Sequence, residues 1–271
     1  MNDRMETSVP DIYAAGDAVQ VKHYVTGDDA LISLAGPANK QGRIIADNIC
    51  GGDSHYLGSQ GSSVIKVFDM TAATTGINET NAKKSGLEVD TVILSPMSHA
   101  GYYPGGKVMT MKVVFEKETY RLLGAQIIGY EGVDKRIDVL ATAIHAGLKA
   151  TQLKDLDLAY APPYSSAKDP VNMAGFMIDN MAKGTLKQWH LEDMDRISKD
   201  KNAVLLDVRT VGEFSRGHIN GFKNIPVDEL RERINEVEKG KPVYLICQSG
   251  LRSYIASRIL EGNGYETYNF S

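Results

Sequence analysis

Apolar residues in this chain fall into short runs whose spacing alternates between that of strands and that of helices. Residues 9–15 form an apolar run ending at Gly16-Asp17, which predicts a short buried strand closed by an acid. Residues 38–49 carry apolar positions at helical spacing and stop at Gly51-Gly52, predicting a helix. One strand and one helix cannot bury a core by themselves, so residues 1–55 read as a segment of a larger domain and Met1 as a start that need not be natural. From 56 to 184 the pattern is mixed α+β. Strands are expected at 63–68, 89–94, 108–115 and 122–128, and the last two flank a charged connection, Glu116 to Arg121, that suits an antiparallel hairpin. Helices are expected around 81–84, stopped by Gly86, at 133–146, stopped by Gly147, and from the cap Asp169-Pro170 to about Met181. Residues 182–187 read as a linker. From 185 to the end, strands at 203–208 and 242–246 alternate with helices at 227–237 and 253–260, the pattern of a parallel α/β sheet.

Composition adds limits. The chain has 271 residues, 42% hydrophobic and 24% charged, enough for two or three small folded domains. A formal net charge of -4 gives no electrostatic reason to expect nucleic acid or an anionic membrane as partner. No stretch approaches the roughly 20 consecutive apolar residues of a membrane helix, and the first ten residues lack the build of a secretion signal, so the expectation is a cytoplasmic chain. Two cysteines far apart, Cys50 and Cys247, argue against a disulfide framework and leave room for a reactive thiol. No metal-ligand cluster, internal repeat or GxGxxG fingerprint is present.

The strongest chemistry sits at residues 243–253. An apolar strand ends at Cys247, and a helix begins after Gln248-Ser249-Gly250-Leu251. Backbone N–H groups at a helix start favour negative charge, so the loop suits a thiolate at Cys247. Arg252 supplies a fixed positive charge, Gly250 lets the backbone bend, and Ser253 is placed to cap the helix. This CxxGxR[ST] loop resembles the active site of rhodanese-like domains. Upstream, Leu206-Asp207-Val208-Arg209, Glu213-Phe214, Gly217-His218-Ile219 and Asn224-Ile225-Pro226 follow that family's order and spacing. The resemblance implies that Cys247 carries sulfane sulfur as a persulfide, with Arg252 as a second catalytic residue. Gln248, Ser249, Gly250, Leu251 and Ser253 would cradle the substrate, and Asp207, Arg209 and His218 would support. The chain stops at Tyr268-Asn269-Phe270-Ser271, inside or just after the family's last expected strand, so this module is expected to be truncated.

Two further stretches resemble pyridine nucleotide-disulfide oxidoreductases. Thr7-Ser8-Val9-Pro10-Asp11-Ile12-Tyr13-Ala14-Ala15-Gly16-Asp17 is similar to their second flavin motif, which implies FAD contacts at Gly16, Asp17 and Ala18. Tyr160-Ala161-Pro162-Pro163-Tyr164-Ser165-Ser166-Ala167-Lys168-Asp169-Pro170 resembles their dimerisation domain. With a rhodanese-like domain attached, the resemblance is to coenzyme A-disulfide reductases. It implies a homodimer with Tyr160 on the flavin side, Tyr102 or Tyr103 as the second catalytic tyrosine, and coenzyme A contacts at Lys168 and Asn39. His145 reads as a helix-end residue. The expected organisation is residues 1–55 from an FAD-binding domain, 56–184 a mixed α+β dimerisation domain, and 185–271 a parallel α/β rhodanese-like domain, so α/β and α+β together. The Gly-rich flavin phosphate loop, a nicotinamide fingerprint and the redox cysteine of such reductases are not in these residues, and Cys50 sits at a helix end, wrong for that role. The function implied is part of an FAD- and NAD(P)H-dependent reductase of coenzyme A disulfide, persulfide or polysulfide. The alternatives are a fragment similar to NADH oxidase or peroxidase, and a non-catalytic dimerisation fragment.

Overall fold

The computed structural model describes residues 1–271 and divides into two compact units: Met1–Thr91 with Pro96–Asn172, and Val92–Ser95 with Met173–Ser271. No helix is long and apolar enough to cross a membrane.

In the first unit, β1 (Gln20–Lys22) and β2 (Asp29–Leu31) form an antiparallel ribbon, followed by α1 (Ala35–Ile49). The expected strand at 9–15 is not formed. Val9 and Ile12 are 51% and 52% exposed, Asp11 has a φ of 61°, and only Tyr13 bridges, to Glu6. An apolar run becomes a strand only where a neighbouring backbone takes its hydrogen bonds. The segment's small core is made by Met5, Val19 and Val21, with Ile44 and Ile45 of α1 packed against it.

The chain continues as β3 (Ser63–Val67), β4 (Met70–Gly76), α2 (Glu79–Lys84), β5 (Val89–Leu94), β6 (Met109–Glu116), β7 (Leu122–Gly129), α3 (Val133–His145) and α4 (Pro170–Ala182). The sheet order is β3-β4-β7-β6-β5, and β6 and β7 are the antiparallel hairpin expected from the sequence. β4 is the element the pattern missed. Its sequence, Met-Thr-Ala-Ala-Thr-Thr-Gly, has too few large apolar residues to announce a strand, yet it is internal, pairing β3 on one side and β7 on the other. Close approach beside it depends on Gly124, where a Cβ would stand 2.1 Å from the Ile77 carbonyl oxygen. Helix α3 packs on β4 and β7 with Val133, Ile137, Leu140 and Ile144 buried.

The second unit holds β8 (Gln188–Trp189), α5 (Met194–Ile197), β9 (Val204–Asp207), α6 (Val211–Arg216), β10 (Lys223–Asn224), β11 (Val243–Ile246), α7 (Leu251–Glu261) and β12 (Thr267–Phe270). The sheet is parallel throughout, in the order β10-β9-β11-β12-β8. β11 shows how period-two alternation builds two cores. Val243, Leu245 and Cys247 join Ala256, Ile259 and Leu260 of α7, while Tyr244 faces Trp189, Ile197 and Phe222. The helix expected at 227–237 is not formed. Its backbone makes successive tight turns, and only Ile234–Glu236 winds as a 3₁₀ helix. Its charged residues bind one another across these turns, Arg233 holding Glu229 and Glu236.

Candidate functional site

β11 delivers Cys247 to its C-terminal end, and α7 starts four residues later. Cys247 is 8% exposed, at the edge of the core. Gly250 carries a φ of 86°, a left-handed conformation that L side chains resist, and this bends the loop back over the thiol. Its N–H donates to Sγ at 3.1 Å, and the Ser253 hydroxyl donates to the same sulfur at 3.2 Å. Ser253 therefore does not cap α7 as expected. Its one hydroxyl proton lies within reach of both Cys247 Sγ and the Gly250 carbonyl, and no side chain caps the helix. Gln248, Ser249 and Leu251 are exposed around the mouth.

Arg252 does not stand as a lone cation. Its Nη1 and Nη2 donate to the two carboxylate oxygens of Glu213 at 2.6 and 2.7 Å. The Arg252 guanidinium holds the Glu213 carboxyl well below the usual carboxylate range, and Glu213 in turn raises the pKa of Arg252. Behind it, Asp207 is 1% exposed and takes Arg209 Nε at 3.0 and 3.1 Å and Nη2 at 2.7 Å. Asn224 ties the Asp207 and Arg209 carbonyls together. His218 stacks on Phe214 with ring centroids 3.9 Å apart and meets the Phe214 carbonyl through Nδ1, so its surroundings are those of a packing residue on an exposed loop.

A second constellation lies in the first unit. The Tyr102 and Tyr160 hydroxyls are 2.6 Å apart, a contact that raises the pKa of Tyr160. Tyr103 is directed elsewhere, its ring edge-on to His99. The structure thus separates two tyrosines that adjacency in sequence could not. What holds the two loops together is a buried ion pair that the sequence reading left unassigned. Arg136 and Asp169 are 1% and 2% exposed, with Nη2 to Oδ2 at 2.9 Å. The same guanidinium donates to the Ser98 carbonyl at 2.9 Å and the Ser165 hydroxyl at 3.1 Å, and the Ala100 N–H reaches the Ser165 carbonyl. Asp169 also caps α4, its Oδ1 accepting from Val171 N at 3.0 Å. The available signal was a charge at position 136 on the apolar stripe of α3, between Val133 and Ile137. Beside this hub opens a cavity of about 570 Å³ lined by His99, Glu131, Lys135, Tyr160 and Tyr164.

The remaining sequence candidates are dispersed. Gly16, Asp17 and Ala18 form one 3₁₀ turn, tied to α1 where buried Gln41 accepts from Gly16 N at 2.8 Å. Gly16 has a φ of 84° and an open flank, and the side chains of Asp17 and Ala18 are exposed. Asn39 lies exposed on α1, bonded to the Ala35 carbonyl, and Lys168 is exposed one residue before Asp169. His145 ends α3 stacked on Tyr24.

This combination of a helix-backed antiparallel sheet with paired tyrosine loops and a parallel sheet ending at a cradled cysteine has counterparts among known proteins. Residues 62–170 match the pyridine nucleotide-disulphide oxidoreductase dimerisation domain, and residues 190–271 match the rhodanese-like domain. The chain thus carries a disulfide-reductase dimerisation domain followed by a rhodanese-like domain. The structure of reduced Bacillus anthracis CoADR-RHD superimposes with a TM-score of 0.94 at 48% identity, covering 99% of this chain and 48% of that one. An NAD-dependent persulfide reductase from A. fulgidus gives a TM-score of 0.89 at 41% identity, covering 100% of this chain and 49% of that one. A CoA-dependent NAD(P)H sulfur oxidoreductase of Pyrococcus abyssi is 40% identical over 170 residues, 63% of this chain and 38% of the relative. The chain therefore spans half or less of the length of these relatives.

Proposed function

We propose that this chain is part of a homodimeric flavoprotein that reduces coenzyme A disulfide, persulfide or polysulfide, with Cys247 carrying sulfane sulfur. The carrying observation is the Cys247 cradle, in which a backbone N–H and a hydroxyl both donate to one sulfur at the head of α7. Such donors favour a sulfur anion and the leaving of a thiolate. In the transfer, Cys247 Sγ attacks the outer sulfur of a persulfide R–S–SH. The new S–S bond forms as the old one breaks, R–S⁻ leaves with the electron pair, and Cys247 is left as the persulfide. The reverse step hands the sulfur to an acceptor thiol.

The proposed division of labour follows the expected domains. Residues 1–55 contribute an edge of the FAD site, 56–184 the dimerisation domain, and 185–271 the sulfur carrier. The turn at Gly16–Ala18 fits that edge: its glycine flank is open and its carboxylate is exposed to accept from a hydroxylated chain. When bound, FAD supplies the passage of an electron pair from NAD(P)H to a disulfide. Tyr160, with Tyr102 bonded to it, presents a phenol donor at the surface, held by the Arg136–Asp169 hub. Lys168 and Asn39 are the exposed polar groups proposed for coenzyme A, Lys168 as a point charge for phosphate. The homodimer is supported by the sheet face opposite α3, where Ile65, Val67, Ile128 and Tyr130 are exposed beside Phe68.

The test is polysulfide loading followed by intact mass and cyanide treatment. The wild type gains one sulfur atom and releases thiocyanate, and Cys247→Ser does neither. Loading that persists in Cys247→Ser, or is missing from the wild type, overturns the assignment.

A further inference from the structure

Glu213 is used twice. Its Oε2 closes the cap of α6, accepting from Thr210 N at 3.0 Å and Thr210 Oγ1 at 2.7 Å. Its two oxygens also grip Arg252, the second residue of α7, in a parallel two-bond fork. A carboxylate already fixed by a helix cap loses little freedom in binding the guanidinium, so the fork is held at the loop mouth.

The consequence is electrostatic. Asp207 compensates Arg209 in the same way, through three hydrogen bonds to its side chain. The two arginines and two carboxylates around Cys247 thus sum to no net charge. An anion approaching Sγ meets the Gly250 N–H and the Ser253 hydroxyl, but no uncompensated cation from this set.

We propose that Glu213 sets the donor preference of the Cys247 loop: by neutralising Arg252 it favours sulfane sulfur carried on a neutral or singly charged organic persulfide and disfavours a dianion such as thiosulfate. Glu213 is a positioning residue in this account, acting through Arg252. The inference rests on Cys247 being the sulfur carrier, yet its electrostatic core can be tested without any sulfur transfer.

The experiment compares alkylation of Cys247 by iodoacetate, an anion, with alkylation by neutral iodoacetamide, read on the Cys247 peptide so that exposed Cys50 does not interfere. In Glu213→Gln the shape is kept and Arg252 is released. The iodoacetate-to-iodoacetamide rate ratio rises about fivefold at low ionic strength, the size expected for one unit charge near the thiol at the high effective dielectric of a protein surface. The rise shrinks at high salt. Arg252→Gln leaves Glu213 unpaired and moves the ratio the opposite way, which keeps the test decisive if one variant folds poorly. Thr210→Ala weakens the α6 cap but keeps both charges, and the ratio stays where it is. In steady-state assays kcat/KM for thiosulfate relative to an alkyl persulfide rises in Glu213→Gln by at least the same factor. An unchanged ratio in both charge variants, or an equal shift in Thr210→Ala, overturns the proposal. A wild type that carries no sulfur while the alkylation ratio still moves overturns the carrier assignment alone.

Discussion

At the scale of single residues, the most consequential groups are those whose hydrogen bonds are fully committed. Arg136 makes its bonds to Asp169, Ser98 and Ser165 with almost no water access, so removing one partner strands a buried charge. Asp169→Ala is expected to cost about 3 to 5 kcal/mol, read as a fall in the urea midpoint, because the guanidinium is left unpaired. The Tyr102–Tyr160 bond is exposed, so little of the stability of the fold rests on it. Since Tyr102 is the main cause of the raised Tyr160 pKa, Tyr102→Phe should let Tyr160 ionise at lower pH. An NMR titration of ring-labelled tyrosine, with Tyr160→Phe identifying the resonance, would show it, and an unmoved Tyr160 would deny the coupling. Cys247 and Tyr160 were candidates from sequence motifs, and the structure gives each a hydrogen-bonded setting. The sequence did not point to Arg136, because a single arginine on an apolar stripe looks the same whether its partner lies beside it or is missing.

Elements are fastened to one another by a few charged contacts. Glu79, in the first turn of α2, takes Lys83 of its own helix and Lys112 of β6, both at 2.5 Å. These lysines, Lys112 first, lower the Glu79 pKa from 4.5 to about 2. The folded pKa lies below the unfolded one, so the stabilisation is complete above pH 4.5 and is lost as pH falls through about 2. Solvent screening at this partly exposed site limits it to roughly 1 kcal/mol. Chemical denaturation of the wild type against Glu79→Gln should therefore show a gap at neutral pH that closes between pH 4.5 and 2. A gap independent of pH would assign the contact to packing. The hairpin β6–β7 was readable from β-rich runs on either side of a charged connection, and helix α3 from its length and the glycine that stops it. Residues 227–237, expected as a helix, form turns instead, and the Glu229–Arg233–Glu236 ion pairs that fasten them arise from the folded backbone.

For the molecule as a whole, the open face of the antiparallel sheet is where the proposed dimer can be tested. Phe68, 95% exposed at the β3–β4 turn, adjoins exposed Ile65, Val67, Ile128 and Tyr130, the patch proposed above as the dimer interface. Phe68→Asp should weaken self-association, measured as a shift to lower mass in sedimentation equilibrium, with Cys247 sulfur loading unaffected. A mass that stays the same would remove this face from the interface.

The sequence alone determined the α/β and α+β character, the cysteine loop and the order of the two domains. These are written in local signals: the alternation of Val243, Leu245 and Cys247, the glycine at 250, and the run of motifs from Asp207 to Pro226. Tertiary structure decided that residues 9–15 are not a strand, that the plain sequence of β4 is an internal one, and that Tyr102 rather than Tyr103 meets Tyr160. It also decided that Arg252 is neutralised by a glutamate 39 positions away. Hydrogen-bond partners and charge partners distant in the chain leave no periodic trace, and only folding brings them within reach.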